Sequence, residues 1–109
     1  MPQTVEATPY RDSLLKALAN PVSAAHYLNA SLEDEDSRVF LMALRDVADA
    51  NGGMGLLAES SKLNRESLYR ALSESGNPSL SSLAAVLKSL GLRLAVQSDA
   101  PKSPKRRVA

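Results

Sequence analysis

Apolar positions along most of this chain recur at helical rather than strand spacing. Leu14, Leu15 and Leu18 share one face of a segment spanning 11–19. Asn20-Pro21 then restarts the chain, because Asn caps well and Pro suits the first helical position. The helix that follows is expected to reach about residue 33, burying Ala24, Ala25, Tyr27, Leu28 and Leu32. Four adjacent anions, Glu33-Asp34-Glu35-Asp36, belong in solvent and interrupt it, and Asp36 or Ser37 can cap the next helix. In that helix Val39, Phe40, Ala43, Leu44, Val47 and Ala48 repeat with helical period up to the stop at Asn51-Gly52-Gly53.

The second half is built from shorter pieces. A helical segment at 54–61 is followed by a break at Lys62-Leu63-Asn64 and a second helix at 65–73. Gly76-Asn77-Pro78 reads as a turn and Ser79 as a cap. Leu80, Leu83, Ala84, Leu87 and Leu90 form a last amphipathic face, ended by Gly91. Residues 92–96 alternate with period two, the mark of a short strand, with Leu92, Leu94 and Val96 on one side. A strand cannot satisfy its backbone alone, and the chain offers no convincing second one. Pairing with the same strand of a second subunit about a two-fold axis resolves this; an extended terminus packed on the helices is the alternative.

Composition agrees with a helical reading. Hydrophobic residues make up 44% of the 109, with only three Tyr and one Phe among the aromatics, so Ala and Leu carry the apolar content. That length fits one domain. The reading is an all-α, five- to six-helix domain over 10–97, between a disordered lead-in (1–9) and a disordered basic tail (98–109). No stretch is apolar enough to cross a membrane, and no basic n-region with an apolar run marks a secretory signal. Absent cysteine excludes disulfides and thiolate metal sites and fits the cytoplasm.

A net charge of +1 conceals an uneven distribution. Residues 1–53 carry four basic and eight acidic side chains, whereas 54–97 carry five basic and three acidic. The tail from 98 adds Lys102, Lys105, Arg106 and Arg107 against Asp99. An acidic front and a basic back imply that only the back meets a polyanion, unless the charges form an ordinary solvated surface. The basic tail itself is a DNA arm, a clamp on RNA or on a protein partner, or a solubilising extension.

The segment 57–72 carries the functional argument. Two short helices crossing a three- to four-residue turn form a helix-turn-helix, and an ordinary packed hairpin has similar spacing. Ala58 is small where the helices approach, Leu57, Leu63, Leu68 and Leu72 supply an apolar seam, and Asn64 is placed to cap the second helix. The outer face of that helix presents Arg65, Glu66, Ser67, Tyr69 and Arg70, all able to hydrogen-bond to base edges or phosphates. Glu66 either accepts from a cytosine amino group or simply favours the positive end of its helix. Backbone amides at 54–56 and the turn with Asn77 and Ser79 are candidate phosphate anchors.

With these residues in view, the chain resembles the HigA-like addiction-module antidote proteins, of the lambda-repressor/Xre helix-turn-helix class. The resemblance covers about residues 11–97, most specifically Tyr27-Leu28-Asn29, the run from Asn64 to Leu72, Gly76-Asn77-Pro78 and the run from Leu87 to Leu92. It implies a lambda-repressor-like fold and an antitoxin that neutralises a RelE/HigB-like, ribosome-dependent mRNA-cleaving toxin. It also implies a homodimer that represses its own operon by binding double-stranded operator DNA, with Arg65, Glu66, Ser67, Tyr69 and Arg70 on the contacting face. One departure concerns the turn: the class usually has Gly where Lys62 stands. A left-handed residue there costs about 1 kcal/mol without glycine, although lysine can then reach phosphate. Ser61 also replaces a more usual apolar residue.

Other chemistry is thin. His26 is the single histidine, with no second ligand beside it, and no cofactor or metal site is expected. The 33–36 anions lack a glycine-containing calcium loop. Without cysteine, paired carboxylates or a phosphate-binding loop, an enzyme is not expected. Two other functions compete with the antitoxin: a stand-alone helix-turn-helix regulator, and a protein-interaction adaptor that never touches DNA. The acidic front half is the natural face for a basic, RNA-cleaving partner.

Overall fold

A computed structural model describes residues 9–99. Within them six helices follow one another: α1 (Pro9–Leu18), α2 (Pro21–Ser31), α3 (Ser37–Ala50), α4 (Gly53–Ser61), α5 (Arg65–Ala71) and α6 (Leu80–Ser89). Apart from Pro9, Ser98 and Asp99, the two segments expected to be disordered lie outside the described residues. Pro9 already opens α1, which starts two residues earlier than the apolar period required.

Local chemistry sets the helix boundaries. Asn20 is extended and its side chain accepts from the amides of Val22 and Ser23, with Pro21 at the first helical position. Asp36 caps α3 through the Arg38 amide. The Arg38 guanidinium also clasps Asp36 at 2.7 Å, and these hydrogen bonds hold its carboxyl down at about 2. Ser79 caps α6 by accepting from the Ser82 amide at 3.1 Å.

α3 packs against α1, α2 and α4, and α4 in turn against α5 and α6. The core gathers Leu18, Leu28, Leu44, Val47, Leu57, Leu68, Leu72 and Val86, with no buried polar or charged residue among those described. A polar staple ties the first three helices: Arg11 donates to Asp46 at 2.8 Å and Asp49 at 3.0 Å, and the Tyr27 hydroxyl donates to Asp46 at 2.7 Å. Burial foremost, then this hydrogen bond and the Asp46 charge, push the Tyr27 phenol up to about 12.

Several expected inward positions face outward. Leu32, the C-cap of α2, still donates to the Leu28 carbonyl, but it is exposed at the edge of a surface groove rather than packed in the core. Val39 sits at the edge of the α3 stripe, and Leu41 is buried instead. On α6 Val86 and Leu87 are buried, with Leu83 and, just past the helix, Leu90 half-buried beside them, while Leu80 and Ala84 are exposed. Leu80 opens the helix, and side chains lean toward the N-terminus, so it leans past the end.

The C-terminal strand expected at 92–96 is not formed: residues 92–98 have no regular structure. Its backbone groups find no neighbouring strand within the described chain. Leu92 is half-buried against the core, Leu94 is exposed, and Val96 is 98% exposed. Leu92 and Leu94, but not Val96, border a groove of about 460 Å³ lined also by Ala25, Leu28, Leu32 and Phe40.

Candidate functional site

The turn between α4 and α5 is made by a lysine in a glycine's role. Lys62 has φ 61° and ψ 29°, the left-handed conformation, and is the one non-glycine residue with positive φ among those described. Its amide donates to the Glu59 carbonyl at 3.3 Å, and the Leu63 amide donates to the Ala58 carbonyl at 3.1 Å. This pair of bonds is a Schellman termination, which satisfies carbonyls that the helix leaves unpaired. The end of α6 repeats it with Gly91 at φ 80°, through Gly91 to Lys88 and Leu92 to Leu87. Leu63 then turns against the core and brings the chain back for α5.

Asn64 is extended, and its side-chain oxygen accepts from the Ser67 amide at 3.0 Å, as its position before the second helix required. α5 anchors itself by Leu68, with Leu72 immediately after it; each is 1% exposed. Arg65, Glu66, Ser67, Tyr69 and Arg70 all lie on the exposed side. Asn64, Arg65, Glu66 and Tyr69 border one shallow depression. A second, beside it, is bordered by Arg65, Gly55, Ala58, Glu59 and Leu63. The Arg65 guanidinium lies over the Tyr69 ring, 6.0 Å from its centroid. Glu66 occupies the first turn of α5, where a negative charge meets the positive end of the helix.

Asn77 and Ser79 stand in the loop after α5 and are exposed. A Cβ on Gly76 would collide with the Ala71 carbonyl, so only glycine lets this loop fold back onto the end of α5. Ser79 spends its hydroxyl on the α6 cap and on Ser81 and Ser82. The candidate residues thus fall into one group on the α4–α5 turn and α5, a second in the following loop, and the separate Leu92, Leu94 and Val96.

Sequence reasoning missed two contributors. Gly55 and Glu59, on α4, flank Arg65; the glycine directly after Met54 was the only available hint. The Arg11–Asp46–Tyr27 staple was also missed. Asp46 and Asp49 lie three apart on one helix face, which marks a receiver of cations but not which cation arrives from 35 residues away. Among the described residues no group of three His, Cys, Asp or Glu side chains converges as a metal site, and no helix is long and apolar enough to cross a membrane.

Two short helices meeting across a Schellman turn, the second presenting a polar outer face, make a helix-turn-helix-like unit in an all-helical domain. The chain belongs to the family described as probable addiction module antidote protein, which matches residues 13–98. It is similar to an uncharacterized protein of Haemophilus influenzae, 39% identical over 73 residues, which cover 67% of this chain and 74% of the relative. No solved structure matches it. Membership in an antidote family implies a toxin as partner.

Proposed function

We propose that this protein is the antitoxin of a toxin–antitoxin pair of the HigA/Xre type, acting in the cytoplasm by binding rather than by catalysis. As a homodimer it neutralises a RelE/HigB-like toxin and represses its own operon by inserting α5 into the major groove of the operator. The observation that carries this reading is the exposed face of α5, where Arg65, Glu66, Ser67, Tyr69 and Arg70 surround a helix held from behind by Leu68 and Leu72. A recognition helix reads bases with its N-terminal residues, which here are Arg65, Glu66 and Ser67. Arg65 suits guanine, Tyr69 and Arg70 suit the backbone, and Lys62, Asn64, Asn77 and Ser79 supply further positioning contacts.

Dimerisation joins the 92–96 segments of two copies around a two-fold axis. Support comes from the apolar side chains of Leu94, partly exposed, and Val96, almost wholly exposed. The acidic run 33–36, exposed between α2 and α3, is the face offered to a basic toxin. A gel-shift titration with the DNA upstream of the protein's own gene tests the reading. A salt-sensitive complex that survives excess scrambled duplex is expected; equal binding to both duplexes, or none, would rule out operator recognition.

A further inference from the structure

Gly55 occupies the first turn of α4, a place where alanine or leucine is the better helix former. Its backbone is unremarkable, with no positive φ to require glycine. What fills the space over it is the side chain of Arg65, brought from the start of α5. A Cβ at position 55 would lie 3.3 Å from Arg65 Nη2 and 3.6 Å from Cζ. The same guanidinium lies over Tyr69, one turn along α5. Arg65 is exposed, so burial does not hold it in place. It lies instead against a bare stretch of α4 and an aromatic face.

We propose that Gly55 is a positioning residue for base reading: the missing side chain is the seat on which the Arg65 guanidinium rests, and the Tyr69 ring is its second wall. This inference rests on the reading of α5 as a recognition helix. An arginine fork discriminates guanine through two parallel hydrogen bonds, so its value depends on a held geometry. A long side chain free in solution loses rotamer freedom on binding, and prior seating removes part of that cost. Cation–π contact adds attraction at the Tyr69 side without restricting the outward N–H groups. A methyl group at position 55 forces the guanidinium to yield by a few tenths of an ångström, and a leucine takes the seat altogether. The glycine is thus a concession of helix stability to the aim of Arg65.

The test uses the full chain and a short duplex carrying the sequence that the wild-type protein enriches from a random pool, with a scrambled duplex as control. Gly55→Leu is expected to weaken binding to the enriched duplex roughly tenfold while leaving the scrambled duplex unaffected, as Arg65→Ala does. In the Arg65→Ala background Gly55→Leu costs nothing more, and Gly55→Ala gives a smaller loss with a higher Tm. Retained selectivity in Gly55→Leu beside lost selectivity in Arg65→Ala overturns the seat alone. So do independent, additive losses in the double variant. If the wild-type chain enriches no sequence, or Arg65→Ala is silent, base reading by Arg65 fails first and takes the seat with it. A readout without DNA separates the two. The Arg65 Nε–H resonance should carry a ring-current shift from Tyr69 that moves in Gly55→Ala and Gly55→Leu as it does in Tyr69→Leu. An unmoved resonance in Gly55→Ala, which introduces no bulk beyond the methyl, overturns the geometry even if Gly55→Leu fails to fold.

Discussion

Lys62 holds a backbone conformation that costs a side-chain-bearing residue about 1 kcal/mol, and its Schellman partners keep it there. Lys62→Gly is therefore expected to raise stability by about 0.5–1 kcal/mol in thermal or urea unfolding. If the lysine also meets phosphate, the same variant lowers the salt slope of DNA binding by about one unit. A stabilised variant with an unaltered slope assigns Lys62 a purely structural place. Tyr27 is a second residue whose environment sets a measurable property. Its folded pKa of about 12 lies above that of the free phenol at 10.0, so the neutral, hydrogen-bonded form is the one the fold favours. The stability it contributes is complete below pH 10 and disappears as pH rises through about 12. Thermal melts across pH 9–12 should show a steeper alkaline loss in wild type than in Tyr27→Phe; parallel curves would mean that the fold does not raise the Tyr27 phenol.

The helices and their caps were legible because their signals are local. Asn20-Pro21, Asp36, Asn64 and Ser79 each announce a boundary through side-chain oxygens that reach amides two or three residues on. The inward positions at helix ends were less legible. Leu32 and Leu80 fit the apolar period but stand at the end of α2 and the start of α6, where the core no longer covers them, and both are exposed. The strand stays unformed in the single chain, because alternation at 92–96 is a local pattern whose fulfilment needs a second chain. At the candidate site, the polar face of α5 could be read from spacing, but the approach of Gly55 to Arg65 depends on how two helices cross. α5 itself has seven residues, too few to persist without its cap and its buried side. Asn64→Ala should cost about 1 kcal/mol in global stability, and Asn64→Asp should restore most of it. Equal stability in all three proteins would show that Leu68 and Leu72 hold α5 without help.

Across the whole molecule the charges and the apolar surface divide the work. The acidic front half carries the Arg11–Asp46–Tyr27 staple and the exposed 33–36 run, while the basic residues cluster from Lys62 onward. Leu94 and Val96 remain outside the core, and Leu94 borders a groove of about 460 Å³. If two copies pair through 92–96, Leu94→Pro removes a ladder donor from the middle of the pairing and should convert dimer to monomer in light scattering without lowering helix content. A variant that stays dimeric moves the interface elsewhere. The exposed α5 face is the feature on which the proposed DNA recognition depends, and the salt dependence of binding reaches it most directly. Log K against log salt for the operator duplex should be linear, and Arg65→Ala with Arg70→Ala should flatten its slope by about one unit and reduce selectivity at least tenfold. An unchanged slope together with unchanged selectivity would mean that α5 does not face DNA.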